Sequence, residues 1–98
     1  MRLFRAISYA EYSTLKRGKF TTGPNSLEGK WFAETYQDAD QWGRLMHFEP
    51  GYLIVEIELP DNVADNLFRT GYLDGIGLTR YAEIELLTRV TIITFRNV

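Results

Sequence analysis

Hydrophobic and polar positions along the chain fall into period-two and helical stretches in a readable order. In "RLFRAIS", Leu3, Arg5 and Ile7 alternate with Arg2, Phe4 and Ala6, which predicts a first strand with a charge, Arg5, between two apolar neighbours. Ser8 with Glu11 three residues later is a capping box, so a short helix follows, ending near Arg17 with Gly18 as its stop signal. "TTGPNSLEG" is turn chemistry and "KWFAE" a short strand. Thr35 and Asp38 open a second helix carrying Ala39, Trp42, Leu45 and Met46 at helical spacing. "YLIVEIELP" is the clearest strand: Leu53, Val55, Ile57 and Leu59 make an apolar face, with Glu56 and Glu58 opposite. Pro60 ends it, and Asp61 caps a short helix over "NVADNLF" with Val63, Leu67 and Phe68 inward. "RTGYLDGIGLT" reads as a Gly-rich loop. "YAEIELL" alternates again, with Ala82, Ile84 and Leu86 on one face and Tyr81, Glu83 and Glu85 on the other. "VTIITF", apolar on both faces, reads as a central or doubly covered strand. Short helices and late-clustering strands predict an α+β fold with a mostly antiparallel sheet rather than a doubly wound one.

The totals narrow this. Ninety-eight residues make a single domain, 1–98, with 45% hydrophobic and 24% charged side chains. A net charge of −2 argues against an electrostatic nucleic-acid binder. No apolar run of about 18 residues is present to span a membrane, and the start lacks the apolar core of a signal peptide, so a cytoplasmic location, of the producing cell or of a target cell, is expected. With no cysteine, disulfides, thiolate metal sites and cysteine nucleophiles are excluded. His47 stands alone, and no metal site is expected.

Three features carry candidate chemistry. Arg5 on an apolar face needs a partner, because an unpaired buried charge costs several kcal/mol. Either the strand bulges or lies at an edge, leaving Arg5 in solvent, or Arg5 stands in a cleft aimed at phosphate or ribose oxygens. Glu83 and Glu85, two apart, share a strand face: a solvated polar face, or a carboxylate pair at a cleft mouth beyond the loop of Gly71, Gly75 and Gly77. In "GKWFAETYQDADQW" the only two tryptophans, Trp31 and Trp42, lie eleven residues apart. They are either ordinary core or the two walls of a slot for a flat ring.

Together these pieces resemble the ADP-ribosyltransferase superfamily, nearest its poly-ADP-ribose-polymerase-like branch. "LFRAIS" resembles its first core strand, which carries His or Arg, and "YSTLKRGKF" the helix that follows. "EGKWFAETYQDADQW" is similar to the "G-x-Y-F-A" strand and the helix supplying a second aromatic. "YLIVEIELP" resembles the long strand beyond it. "AEIELLTRVTII" is similar to the strand with the catalytic Glu, and to the ExE of the arginine-type branch. The resemblance implies a split, mostly antiparallel sheet with two or three short helices. It puts Arg5 at the His/Arg position, Trp31 and Trp42 around the nicotinamide of NAD⁺, and Glu83, or Glu85 through the ExE reading, as catalytic acid. Phe32, Asn25 and Ser26 complete the implied NAD⁺-binding set. The sequence departs from the family where Arg replaces His beside otherwise polymerase-like motifs, where Ala39 replaces a frequent Ser, and where the Ser-Thr-Ser of the arginine-type branch is absent.

The chemistry so implied is cleavage of the nicotinamide–ribose bond, with carboxylate charge answering an oxocarbenium-like sugar. ADP-ribose would pass to a protein, nucleic acid or small molecule, or to water. A toxin or effector role, with an immunity or antitoxin partner, would suit so small a member. Two other classes stand beside this one. A metal-independent ribonuclease toxin usually needs a His or Lys dyad, which a single His and a net −2 disfavour. A non-catalytic NAD⁺- or partner-binding module of the same fold would use Arg5 and Glu83 only as an ion pair.

Overall fold

A computed structural model describes residues 1–18, 20, 29–71, 75–88 and 90–97. The elements are β1 (Arg2–Ser8), α1 (Tyr9–Leu15), β2 (Gly29–Ala33), α2 (Tyr36–Met46), β3 (Tyr52–Glu58), α3 (Asp61–Ala64), β4 (Phe68–Thr70), β5 (Thr79–Glu83), α4 (Ile84–Leu87) and β6 (Thr91–Asn97). The strands form one six-stranded sheet in the order β4-β5-β2-β1-β3-β6, and every neighbouring pair is antiparallel. The α+β class and antiparallel sheet are as the sequence implies. The sheet is continuous rather than split, because β1 pairs with both β2 and β3. Among the described residues no helix is long and apolar enough to cross a membrane.

Strand alternation sorts the interior into two layers. On the first face Leu3, Ile7, Phe32, Leu53, Val55, Ile57 and Ala82 pack with Leu15 of α1, Ala64 of α3 and Leu87 of α4. On the second, Ala6, Ala33 and Ile54 pack under Ala39 of α2. Two of the three predicted helix starts are made: Ser8 Oγ accepts from the Glu11 N–H at 3.1 Å, and Thr35 Oγ1 accepts from the Asp38 N–H at 3.1 Å. Asp61 does not cap the third, since Pro60 is its N-cap and Asp61, the first helical residue, accepts instead from the Met1 ammonium at 2.8 Å. Gly18 sits at φ +112°, the left-handed conformation expected of the stop signal after α1.

Three further expectations are corrected. "YAEIELL" is a strand only to Glu83; Ile84–Leu87 then turn into α4, with Glu85 in its first turn, so Glu83 and Glu85 do not share a strand face. β6 is an edge strand of mixed exposure rather than a central one. Phe68 does not point inward from a helix: it opens β4 and is 64% exposed.

Candidate site on neighbouring strands

The sheet order sets β5, β2 and β1 side by side, and these strands carry Glu83, Trp31 and Arg5. Arg5, opposite Val55 of β3, lies inside the sheet and not at an edge. Its side chain is 18% exposed, and its charge is answered by Glu11: Nε donates to one carboxylate oxygen at 2.9 Å and Nη2 to the other at 3.0 Å. Such two-point pairing is the strong form of the Arg–carboxylate bond. Nη1 donates to the Trp31 carbonyl at 3.1 Å, which clips β1 to β2. The partner of Arg5 is thus the capping-box glutamate of α1, neither Glu83 nor Glu85. A sequence signal for this existed: the capping box fixes Glu11 in the first turn of a helix that leaves directly from the Arg5 strand.

Trp31 alternates to the second face. It is in register with Tyr81, its ring 5.1 Å from the Tyr81 ring and 6.0 Å from that of Phe68. Phe68 is itself in register with Tyr81, so three aromatic side chains step across β4, β5 and β2. Glu83, two residues beyond Tyr81, follows the same alternation and ends β5 with an exposed side chain opposite Gly29. Gly29 is required there, since a Cβ would lie 2.3 Å from the Ala82 carbonyl oxygen and 2.8 Å from the Tyr81 ring. Glu83 and Trp31 therefore share a face, and Arg5 takes the opposite one.

Trp42 is partly buried on α2, between Ala39 and Gly43, the two residues the helix buries. Because α2 covers the second face, Trp42 stands on the same side of the sheet as Trp31. Among the ring contacts of the described residues none joins the two tryptophans. Phe32 is fully buried in the first-face core, edge-on to Phe20 at 5.6 Å, and is packing rather than surface. Asn25 and Ser26 lie outside the described residues. Of the Gly-rich loop, Gly77 abuts α2: a Cβ there would lie 2.5 Å from Asp38 Oδ2. An open cleft of about 320 Å³ lies elsewhere, lined by Tyr9, Tyr12, Ser13, Lys16, Leu53 and Asn97, and holds none of the candidates.

Sequence reasoning missed three participants. Tyr81 and Phe68 extend the aromatic row, and Tyr81 was legible as the residue sharing a face with Glu83. Lys30, partly buried on β2, has its ammonium pKa lowered by burial; the Glu11 carboxylate pulls it back up and the Arg5 guanidinium pushes it further down. No family model, curated protein or solved structure matches the chain.

Proposed function

We propose that the chain is an ADP-ribosyltransferase-like domain that binds NAD⁺ and cleaves its nicotinamide–ribose bond. The observation that carries this reading is the aromatic row of Trp31, Tyr81 and Phe68 on the same sheet face as the exposed Glu83, which lies two residues beyond Tyr81 on β5. An aromatic surface suits a flat pyridinium ring, and a nearby carboxylate suits the cationic sugar left as that ring departs. In the reaction the C–N bond breaks and its electron pair leaves with nicotinamide. An acceptor hydroxyl, amine or water then bonds to the sugar carbon and gives up its proton. Glu83 accepts from a ribose hydroxyl and stabilises the developing charge. Arg5, its donors engaged by Glu11 and the Trp31 carbonyl, is a positioning residue that fixes the strand behind Trp31. Trp42 closes the aromatic slot from α2. Glu85, in the first turn of α4, is the alternative acid.

The test is nicotinamide release, with and without cell lysate as a source of acceptor, beside NAD⁺ titration followed by tryptophan fluorescence. Glu83→Gln should lower turnover by roughly 10²-fold or more with little change in NAD⁺ affinity. Trp31→Phe should weaken binding by about 1 kcal/mol. Turnover untouched by both Glu83→Gln and Glu85→Gln would remove the assigned acids. The 64% exposure of Phe68 on an edge strand favours a second reading, a non-catalytic module that binds a partner through this face. Absence of both NAD⁺ binding and nicotinamide release would select it.

A further inference from the structure

Tyr9, Tyr12, Ser13 and Lys16 fall at i, i+3, i+4 and i+7, one stripe of α1 and its C-cap. That stripe forms one wall of the open cleft of about 320 Å³. Leu53 and Asn97, in register with each other at the paired ends of β3 and β6, form the other. The cleft therefore lies on the β3–β6 side of the sheet, away from the Trp31–Tyr81–Phe68 row at the β4 edge. Contacts place its two tyrosines. The Tyr12 ring stands edge-on to Phe95 of β6 at 5.0 Å. The Tyr9 hydroxyl lies against Gly51, where a Cβ would come within 3.3 Å of it. The Lys16 ammonium folds back over the Tyr12 ring, 5.5 Å from its centroid, instead of running straight out from the helix end. Among the described residues that line the cleft, Lys16 alone carries charge. In a chain of net −2 the cleft thus offers a cation, two phenol rings, a hydroxyl and a carboxamide, with no lining carboxylate to repel an anion.

We propose that this cleft binds a small monocarboxylate built on a flat ring system. The flat body packs between Tyr9 on one wall and Leu53 on the other, which removes apolar surface from water. Its carboxylate meets the ammonium that Lys16 holds over the Tyr12 ring, a charge-assisted contact, and Ser13 and Asn97 supply further donors. One lining cation answers one negative charge, which favours a monoanion over a phosphate dianion. The cleft shares no residue with the aromatic row or Glu83, so this binding does not rest on NAD⁺ cleavage.

2-Naphthoate is the probe, and naphthalene-2-carboxamide is its uncharged counterpart of nearly the same shape. Titration by calorimetry at constant ionic strength should give saturable binding of 2-naphthoate to the wild-type chain, about fivefold tighter than the carboxamide, the scale of one exposed ion pair. Lys16→Met should erase that preference by weakening the acid and leaving the carboxamide unchanged. Tyr9→Leu should weaken both ligands about threefold or more, through the lost aromatic contact. Arg17→Met, which removes an exposed cation that does not line the cleft, should leave the preference intact. In two-dimensional NMR the amide signals of Ser13, Leu53 and Asn97 should move on titration, and those of Trp31 and Tyr81 should not. No saturable binding, equal affinity for acid and carboxamide, a preference lost equally in Arg17→Met, or shifts confined to the β4–β5–β2 row would each overturn the proposal.

Discussion

His47 closes α2 in the left-handed conformation at φ +52°, where a side chain crowds its own backbone and glycine does not. The sequence offered His47 only as a lone, unselected histidine; its backbone position is what distinguishes it. Its side chain is exposed, so His47→Gly should raise stability by about 0.5–1 kcal/mol, read from the denaturation midpoint. Four residues earlier the opposite holds. A Cβ on Gly43 would lie 2.3 Å from the Tyr52 ring, and that ring cannot swing freely, because its hydroxyl donates to Asp40 Oδ1 at 2.6 Å. Gly43→Ala should therefore cost about 1–3 kcal/mol by overpacking, despite the better helix propensity of alanine. A variant as stable as wild type would show that the α2–β3 contact yields easily. Arg5 teaches a related lesson at this scale. Period-two alternation identified a charge on an apolar face and its need for a partner, but a strand pattern holds no information on which carboxylate the chain brings back. The local glutamate of the next helix reached it before the distant ones.

Elements were legible where a pattern agreed with a boundary signal, and misread where a short apolar run fitted two periods. β1, α1, α2 and β3 had both. "YAEIELL" satisfies alternation through Ala82, Ile84 and Leu86, yet Ile84 and Leu87 are also one helical turn apart, and burying Leu87 on the first face decided for α4. "VTIITF" is apolar enough for a central strand, and only the pairing order, invisible in composition, puts β6 at the edge. Phe68 followed a helix pattern that stops at Ala64. The same edge of the sheet is held by a charge cluster no pattern announced. Glu34, just beyond β2, accepts from Arg69 of β4 at 2.7 and 3.1 Å and from Arg80 of β5 at 2.8 Å, while Arg80 Nη1 donates to the Ala64 carbonyl. The hydrogen bond from Arg69 lowers the Glu34 pKa against the opposing effect of burial, and Arg80 adds to it. A carboxyl depressed in the folded state stabilises fully above its unfolded value of about 4.3 and loses that contribution as pH falls through the folded value. Wild type should thus lose stability below about pH 4.3 more steeply than Glu34→Gln. The variant should already be weaker at pH 7, by about 2 kcal/mol, because the buried Arg80 has lost its partner. Parallel acid-unfolding curves for the two chains would remove Glu34 as the clasp.

At the scale of the whole molecule, the order β4-β5-β2-β1-β3-β6 nests the first strand in the middle and sends later ones to the rims. β1 is paired on both sides, covered by α1 on one face and by α2 on the other, and pairs with β3 in an unbroken register from Arg2–Glu58 to Ser8–Tyr52. β3 buries five consecutive residues, Leu53 to Ile57, one of them Glu56, which is charge-paired with Arg2 and Arg96. β4 is three residues long, paired on one side, and exposes both Phe68 and Arg69. β6 meets β3 through a register shift between Glu56 and Ile57 and leaves its other side open. Opening free energy follows such differences in burial and pairing. Native-state hydrogen exchange should therefore find its slowest amides in β1 and β3, at rates set by global unfolding, with β2 next and β4 fastest among the strands. The ordering bears on the candidate site, because Arg5 stands on the most protected strand and Phe68 on the least. Its anchoring strand would be rigid while its aromatic rim opens at low cost, which is the distribution expected when a ligand enters over an edge. Equal protection of β1 and β4 would mean that the domain opens only as a whole, and entry by local opening at β4 would then be ruled out.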